Sequence, residues 1–390
     1  MTQMSRVAMG AAAVLVAACA DGASHKSSGA LPAVTSYPQL WQHPFELGPA
    51  ARRAVAVVSP CGIWLVAGSV SQWTCTGDSL RTLPHGEGPG EVQYPWLVST
   101  WDHDSVAVWD AHLARLSIFD STGTFARSTP LPIVLNNGMR VAGIFHHAGE
   151  LHLWMNPFPV PFADSAPGLR GHVWSLAEGA SEPGDSLISF DGPRSTIMHD
   201  DKTYSRVDAP MQPKPFVAVL EDGTTLVGSS GSDTVRVYAW DGTIRDTLTL
   251  GLPAEAITDQ DRTKYADSIR ESFESELAGQ QYPENLKEFF RKRAVDIAKA
   301  GKWPPTRQRL DLMVAGAGDT FWVLRPAFEE PYDREWRVYG LDGSVKRVLH
   351  VPHWGSVAAA AVNGDTLTTV EFRWGADSTA VVRYAVSAER

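Results

Sequence analysis

Residues 216–250 read FVAVLEDGTTLVGSSGSDTVRVYAWDGTIRDTLTL, and this stretch decides the fold of the chain. Short runs of β-branched and apolar residues alternate with polar turns, and two of the turns contain Asp-Gly, at 222–223 and 241–242. Alternating apolar and polar residues indicate half-buried strands. Glycine accepts the positive φ that a tight hairpin turn needs. The stretch therefore predicts a module of four antiparallel strands.

The same module recurs along the chain. Its third strand and the following turn are recognisable at 115–125 (RLSIFDSTGTF), 234–244 (TVRVYAWDGTI) and 336–345 (WRVYGLDGSV). Extending outward from these turns gives six units, at about 52–84, 92–132, 139–190, 214–252, 309–352 and 355–388. Six similar sheet modules predict an all-β fold, a six-bladed β-propeller that spans residues 37–390. The competing architecture is two β-sandwiches, which would need a boundary near the middle of the chain.

The sixth unit has three recognisable strands, 357–362, 366–372 and 379–386. The segment 38–47 (PQLWQHPFEL) lies before the first unit and has no partner of its own. We expect this segment to supply the missing strand, which would place Trp41 and Phe45 beside the C-terminal module. Closing the ring in this way removes two exposed sheet edges.

Residues 254–301 interrupt the β pattern between units four and five and predict two helices. In the first helix, apolar residues recur every fourth position, Thr258 is the expected N-cap and Gly279 the expected end. The recurring residues are Tyr265, Ile269, Phe273 and Leu277. The second helix would begin at Pro283 and stop at Gly301. The insertion either covers one propeller face or serves as a lid or a partner-docking arm.

The N-terminus reads MTQMSRVAMGAAAVLVAAC, with one basic residue, Arg6, before an apolar run that ends at Cys19. The run is too short to span a bilayer and is typical of a signal peptide. Its end, Val16-Ala17-Ala18-Cys19, resembles the bacterial lipobox, which implies removal of residues 1–18 and lipid attachment to Cys19. Residues 19–36 are then a flexible tether. This predicts a lipid-anchored protein of the cell envelope, on either membrane or at the surface.

Two further cysteines, Cys61 and Cys75, lie in the first unit. An exported protein meets an oxidising compartment, where a cysteine pair favours a disulfide. Position 68 is the midpoint between the two cysteines, so two strands that turn there would place them opposite each other, at a distance that a disulfide bridges. The alternatives are two free thiols or a metal pair.

The most distinctive motif precedes and enters the second unit. It comprises Gly86-Glu87-Gly88-Pro89-Gly90-Glu91-Val92-Gln93-Tyr94-Pro95, then Val106-Ala107-Val108-Trp109-Asp110, and Arg115. It resembles the repeat of NHL/TolB-like propellers, and above all the six-bladed propeller lipoproteins with a GxGPGEF..P motif. Val92 replaces the usual Phe, and Ala114 stands where NHL repeats usually have Asn. The resemblance covers roughly residues 84–132 and implies a fold rather than a reaction.

The motif residues also have a direct physical interpretation. Gly86, Gly88 and Gly90 would let the backbone turn tightly between blades, Glu91 could accept backbone N–H groups, and Asp110 could pair with Arg115. The segment is either a conformational joint between blades or a ligand loop at the propeller mouth. It is not a phosphate cradle, because the P-loop Lys-Ser/Thr is absent and no helix follows.

The chain carries a net charge of −10, and no run rich in Lys or Arg is present. This composition disfavours nucleic-acid binding. We expect a monomeric propeller without a cofactor. His146, His147 and His152 cluster in unit three, but adjacent strand residues point to opposite faces, which disfavours a shared metal. The run His199-Asp200-Asp201 is either a solvated loop or a calcium ligand set.

No motif of nucleophilic catalysis is present in the sequence, and no catalytic residues are assigned. The leading hypothesis is a lipid-anchored binding or scaffold module for a peptide, a glycan or a protein partner. The alternative is a hydrolase or lyase with its site in the central channel. A third hypothesis is an envelope protein with a purely structural role.

Overall fold

A computed structural model describes residues 39–386. Within that range the following residues fall outside the description: 46–54, 60–61, 67–68, 75–78, 102–104, 121, 132–138, 158–169, 178–179, 181–183, 193–194, 201–202, 209–210, 279–282, 286, 289–291, 293–302, 327–332, 354–355, 365 and 374–377. The predicted signal peptide and tether, and with them Cys19, therefore also lie outside the described residues.

The described chain forms six four-stranded antiparallel sheets, one further hairpin and one complete helix. In chain order the elements are β1 Gln39–Phe45; β2 Val55–Ser59, β3 Gly62–Val66, β4 Val70–Trp73, β5 Ser79–Thr82; β6 Pro95–Trp101, β7 Ser105–Asp110, β8 Arg115–Phe119, β9 Phe125–Pro130; β10 Met139–His147, β11 Glu150–Pro157, β12 Arg170–Leu176, β13 Ser186–Asp191; β14 Ser195–Asp200, β15 Thr203–Asp208; β16 Pro215–Val219, β17 Thr225–Ser229, β18 Thr234–Tyr238, β19 Ile244–Thr249; α1 Asp259–Ala278; β20 Leu312–Ala315, β21 Thr320–Leu324, β22 Asp333–Gly340, β23 Val345–Pro352; β24 Ser356–Asn363, β25 Thr366–Arg373 and β26 Ser378–Ala385.

The sheets are the blades of a six-bladed β-propeller, as the sequence predicts. The first strand of each blade lies innermost, and innermost strands of successive blades are neighbours: β24 with β2, β2 with β6, β6 with β10, β16 with β20, and β20 with β24. Blades three and four share a core that contains Phe145, Trp154, Val217 and Tyr238. The fold is therefore one ring, and the two-sandwich alternative is wrong.

The N-terminal strand closes the ring. β1 pairs antiparallel with β26, so that Trp41 faces Arg383 and Phe45 faces Thr379. The last blade has the strand order β1-β26-β25-β24, with β1 outermost. The prediction that segment 38–47 supplies the missing strand is confirmed.

Hydrophobic packing between blades forms the core. One buried cluster spans blades one to three, a second joins blade one to blades four, five and six, and a third joins blades three and four. Trp64, Trp101, Trp154 and Trp336 are among its largest fully buried side chains. Because β-strands expose alternate residues to opposite faces, each blade contributes one set of side chains to each neighbouring blade.

The insertion begins with α1. The backbone N–H of Asp261 donates to the Thr258 hydroxyl at 3.2 Å, and the backbone N–H of Thr258 donates to the Asp261 carboxylate at 2.8 Å, so the predicted N-cap is part of a reciprocal capping box. Arg307 donates to both carboxylate oxygens of Asp261 at 2.7 and 2.9 Å and to Glu255 at 3.1 Å. These ion pairs tie the start of the helix to the chain that returns to blade five.

The predicted second helix lies mostly outside the described residues. Of its described residues, Glu284, Asn285, Lys287, Glu288 and Lys292 are helical. Among the described residues, no helix is long and apolar enough to cross a membrane.

A hairpin between blades three and four corrects one prediction. The sequence interpretation gave the run His199-Asp200-Asp201 as a solvated loop or a calcium ligand set. The loop alternative is wrong for His199 and Asp200, which end β14 and pair with Tyr204 and Thr203 of β15; the calcium alternative stays a prediction. Asp201 lies outside the described residues. The β-branched residues around this polar run favour strands on both sides of it.

Candidate functional site

The two faces of the ring differ in what they carry. Successive antiparallel strands reverse direction, so the first-to-second turns of all six blades and the third-to-fourth turns of blades one to five emerge on one face, which we call the turn face. The second-to-third turns and the connections between blades emerge on the other, which we call the loop face. All connections longer than about ten residues lie on the loop face, including the hairpin β14–β15 and α1. The loop face is therefore where sequence departs most from the repeat.

The turn face is built from repeated, self-contained turns. Four of them contain a glycine with φ between +74° and +83°, namely Gly123, Gly223, Gly242 and Gly343. In each turn a carboxylate accepts the backbone N–H two residues further on, at 2.8–3.0 Å. The four carboxylates belong to Asp120, Asp222, Asp241 and Asp342. Hydrogen bonds from the Ser344 hydroxyl and N–H lower the pKa of Asp342 to about 2. These acidic side chains are used to close turns.

Asp110 organises the glycine loop, residues 84–95, which leads into blade two on the loop face. Its side chain is fully buried. One carboxylate oxygen accepts the N–H groups of Gln93 and Tyr94 at 2.6 and 3.0 Å, and the other accepts those of His112 and Leu113, both at 2.9 Å. A single carboxylate thus fixes the glycine loop against the turn between β7 and β8.

Arg115 holds the same loop through its carbonyl groups. Its guanidinium donates to the carbonyl oxygens of Glu87 at 2.9 Å, Gly88 at 2.8 Å and Glu91 at 3.1 Å. Asp110 and Arg115 are cross-strand partners, and the sequence predicted that their side chains would pair. In the structure the Asp110 side chain binds backbone N–H groups and the Arg115 side chain binds backbone carbonyl groups. Backbone N–H and C=O groups need hydrogen-bond partners, and these two side chains supply several of them for the glycine loop.

The remaining motif residues complete the joint between blades one and two, by which we mean the glycine loop together with Asp110 and Arg115. Glu91 accepts the N–H of Gly88 at 2.7 Å, which is the predicted backbone contact. A Cβ atom at Gly86 would lie 2.0 Å from the Glu91 carboxylate, and Gly90 has φ +76°, so neither position accommodates another residue without rearrangement. Val92 is buried in the core between blades one and two. Within this joint Glu91, Asp110 and Arg115 bind backbone groups of the motif and of the adjoining turn.

The joint nevertheless presents side chains to solvent at the loop face. Tyr94 directly precedes the innermost strand β6 and is 48% exposed. Its ring lies 5.9 Å from the ring of Trp96, tilted by 32°. Nearby, the Gln93 side-chain amide donates to the Glu87 carboxylate at 2.9 Å, and both Glu87 and His112 are exposed. We call Glu87, Gln93, Tyr94, Trp96 and His112 the mouth patch, because Tyr94 and Trp96 lie at the start of an innermost strand, which borders the central axis of the ring.

The histidines of blade three occupy two separate environments. His146 stacks on Trp101, with ring centroids 4.0 Å apart, whereas His147 lies 5.3 Å from Trp240 and His152 stacks on Trp240 at 3.5 Å. The expectation that adjacent histidines point to opposite faces is confirmed. Within the described chain, no group of three or more His, Cys, Asp or Glu side chains is placed to hold a metal ion.

His152 differs chemically from an ordinary histidine. Its side chain is almost fully buried, and its Nδ1 atom has no hydrogen-bond partner among the described residues. Burial, followed by the positive charge of His147, lowers the pKa of His152 from 6.5 to about 4. The imidazole is therefore neutral at physiological pH and behaves as an aromatic core residue.

Sequence inspection missed a buried polar network between blades five and six. The Glu371 carboxylate oxygen accepts hydrogen bonds from Thr369 at 2.5 Å and Tyr384 at 2.9 Å and lies 2.6 Å from Nδ1 of His353, while Trp336 donates to Nε2 of His353 at 2.9 Å. The side chains of His353 and Glu371 are completely buried. The Glu371–His353 pair resembles an acid–base relay, but Nε2 of His353 already accepts the hydrogen bond from Trp336. The contacts of this network therefore connect blade five to blade six. No sequence spacing signals it, because Trp336, His353 and Tyr384 lie far from Thr369 and Glu371 along the chain.

The cysteines predicted to form a disulfide lie outside the described residues, but the strands beside them are described. Ile63 faces Trp73 and Val66 faces Val70, so β3 and β4 are symmetric about position 68, which is the predicted register. The disulfide between Cys61 and Cys75 stays a prediction.

Comparison with known proteins found solved structures whose fold is similar to that of this chain. The chain is similar to a member of the DUF4221 family from Bacteroides vulgatus (10% identity, 90% of this chain and 98% of that chain, TM-score 0.47). It is also similar to the calcium-binding protein regucalcin from Agrobacterium tumefaciens (12% identity, 92% of this chain and 98% of that chain, TM-score 0.43). A gluconolactonase from Xanthomonas campestris is similar as well (13% identity, 89% of this chain and 88% of that chain, TM-score 0.42). No protein-family model and no curated protein matches the chain. Similarities of this size carry no argument about activity.

Proposed function

We propose that the protein is a lipid-anchored, extracytoplasmic propeller that binds a peptide, glycan or protein partner through its loop face. The observation that carries the proposal is the mouth patch, in which a half-exposed tyrosine stands on a loop that Asp110 and Arg115 hold rigid. A binding surface whose backbone is already ordered pays less entropy when a partner associates. Aromatic residues are enriched at such surfaces because they combine a large apolar area with few rotatable bonds.

Location in the envelope is the second part of the proposal. It rests on the lipobox-like sequence that ends at Cys19, which follows a basic residue and an apolar run of signal-peptide length. Cys19→Ala should block lipid attachment and move the protein from the membrane fraction to the released fraction of cells that express the full chain. If the C19A protein stays with membranes to the same extent as the parent, the anchor lies elsewhere.

The face that binds is tested by site-specific photo-crosslinking in intact envelopes. A benzoylphenylalanine replaces His112 on the loop face in one variant and Asp319 on the turn face in a matched variant, since both residues are exposed. We expect a discrete crosslinked product from position 112 and none from position 319. Products from position 319 alone would show that the partner uses the opposite face and would refute the proposal.

A further inference from the structure

We propose that the mouth patch recognises a cationic side chain, lysine or arginine, in an exposed segment of a partner protein or peptide. The Tyr94 ring and the Glu87 carboxylate are the proposed contacts. This inference rests on the proposed function, because it names the chemistry that the loop face selects.

The first argument is the combination of exposure and order at Tyr94. Three large hydrophobic side chains are exposed among the described residues, Leu80, Tyr94 and Ile244, and Tyr94 is the aromatic one. Its backbone N–H donates to Asp110, and its carbonyl accepts the N–H of Ala111 at 3.1 Å. The ring is therefore mounted on a backbone that is bound on both sides. An aromatic ring in this state offers its electron-rich face to a cation at little cost in conformational entropy.

The second argument is charge. The glycine loop and the adjoining turn, residues 84–95 and 110–115, contain three carboxylates and one guanidinium, those of Glu87, Glu91, Asp110 and Arg115. Asp110 and Glu91 bind backbone N–H groups, whereas Glu87 is exposed and accepts one hydrogen bond, from Gln93. An ionised carboxylate has about four acceptor positions, so Glu87 retains capacity for a cationic donor.

The third argument is the field of the whole molecule. The chain carries 44 acidic and 34 basic residues, a net charge of −10. Such a surface repels anionic ligands and raises the association rate of cationic ones. A neutral sugar could stack on the same ring and donate a hydroxyl to Glu87, but it would form no ion pair there and would gain nothing from the net charge. A basic segment is favoured by the ring, the local carboxylate and the overall charge together.

The experiment compares peptides that differ at one position. Nine-residue Gly/Ser peptides carry a central Arg, Lys, citrulline or norleucine, and their binding to the mature protein is measured at low and moderate salt. The Arg and Lys peptides should bind about 5- to 30-fold more tightly than their uncharged counterparts. Tyr94→Ala should remove this preference, Tyr94→Phe should retain it, and Glu87→Gln should weaken it and reduce its dependence on salt.

Ile244→Ala is the matched control, because Ile244 is an exposed hydrophobic residue on the outermost strand of blade four. It should bind every peptide as the parent does. Equal binding of the Arg and citrulline peptides would overturn the inference. Binding of chitohexaose that Tyr94→Ala abolishes, without any preference for cationic peptides, would also overturn it but would leave the loop face as the binding surface. Partner crosslinks from the turn face alone would overturn both proposals.

Discussion

Acidification should destabilise this propeller through one histidine, His152. The imidazole stacks on Trp240 with ring planes only 4° apart and is almost fully buried. Burial first, and the charge of His147 second, lower its pKa from 6.5 in the unfolded chain to about 4 in the folded protein. The folded state therefore resists binding a proton that the unfolded state accepts readily between these two values.

The size of the effect follows from linkage. Below pH 6.5 the unfolded chain binds more protons at this site than the folded one, so the free energy of unfolding falls as pH falls. A pKa of 6.5 in the unfolded state and of about 4 in the folded state lowers the free energy of unfolding by about 1.4 kcal/mol at pH 5.5 and about 2.5 kcal/mol at pH 4.5. Above pH 7 the site contributes no further pH dependence.

The assay is urea-induced unfolding of the parent and of His152→Phe, followed by tryptophan fluorescence from pH 7.5 to 4.5. Phenylalanine keeps an aromatic ring beside Trp240 and removes the Nδ1 atom that has no partner among the described residues. Acidic residues are common to both proteins, so their titration cancels in the difference. His152→Phe should gain about 2.5 kcal/mol relative to the parent between pH 7.5 and 4.5.

His85→Phe serves as the control, since His85 is exposed on the glycine loop and lacks the burial that underlies the effect. Its free energy of unfolding should run parallel to that of the parent across the pH range. If the difference between His152→Phe and the parent stays constant from pH 7.5 to 4.5, the buried neutral imidazole is not the source of acid sensitivity and the reasoning fails.

Further predictions concern stability at neutral pH. Ala114 has φ +47°, so Ala114→Gly should raise the free energy of unfolding by about 0.5–1 kcal/mol. Ala111→Gly in the same turn is the control and should lower it. If both variants change the free energy of unfolding equally in urea titrations, Ala114 carries no backbone strain. Asp110→Ala leaves four N–H groups without their acceptor and should cost about 3–5 kcal/mol, and a cost below about 1 kcal/mol in the same assay would show that water replaces the carboxylate. Reduction of a disulfide between Cys61 and Cys75 should cost about 3 kcal/mol, and alkylation of two thiols in the unreduced protein, seen by mass spectrometry, would disprove the bond.

The repeat made the fold predictable from sequence. The Asp-Gly turns at 222–223, 241–242 and 342–343 are local signals, because the positive φ of glycine and the carboxylate two residues before the next N–H are set within a few positions. Closure by β1 followed from counting strands, since five units had four and the last had three. The turns are short-range signals, whereas the closure was inferred from the repeat as a whole.

The polar contacts of the joint were only partly predictable. The sequence placed Asp110 and Arg115 on adjacent strands, and opposite charges there suggested an ion pair. In the structure the glycine loop brings N–H groups to one side chain and carbonyl groups to the other, and these contacts satisfy the loop backbone. Such a choice depends on how a segment some 20 residues away folds back, which no spacing rule encodes.

The buried network of His353 and Glu371 lay beyond sequence inference for the same reason. His353 lies in the connection between blades five and six, and Thr369 and Glu371 lie in a strand rich in polar residues, so each resembles an ordinary surface residue in the sequence. Their burial arises only because blades five and six pack face to face. The hairpin β14–β15 was missed because its charged residues hid a short run of strand-forming ones.

Ring closure by β1 has a consequence for how the chain becomes folded. The strand is made early in synthesis, yet its partner β26 follows more than about 300 residues later. Until β26 arrives, β1 has no hydrogen-bonding neighbour in its own blade, and contacts so distant along the chain form slowly. The last blade therefore closes only when the first and last described strands meet, and any copy held open at that stage offers a free edge to β1 of another copy.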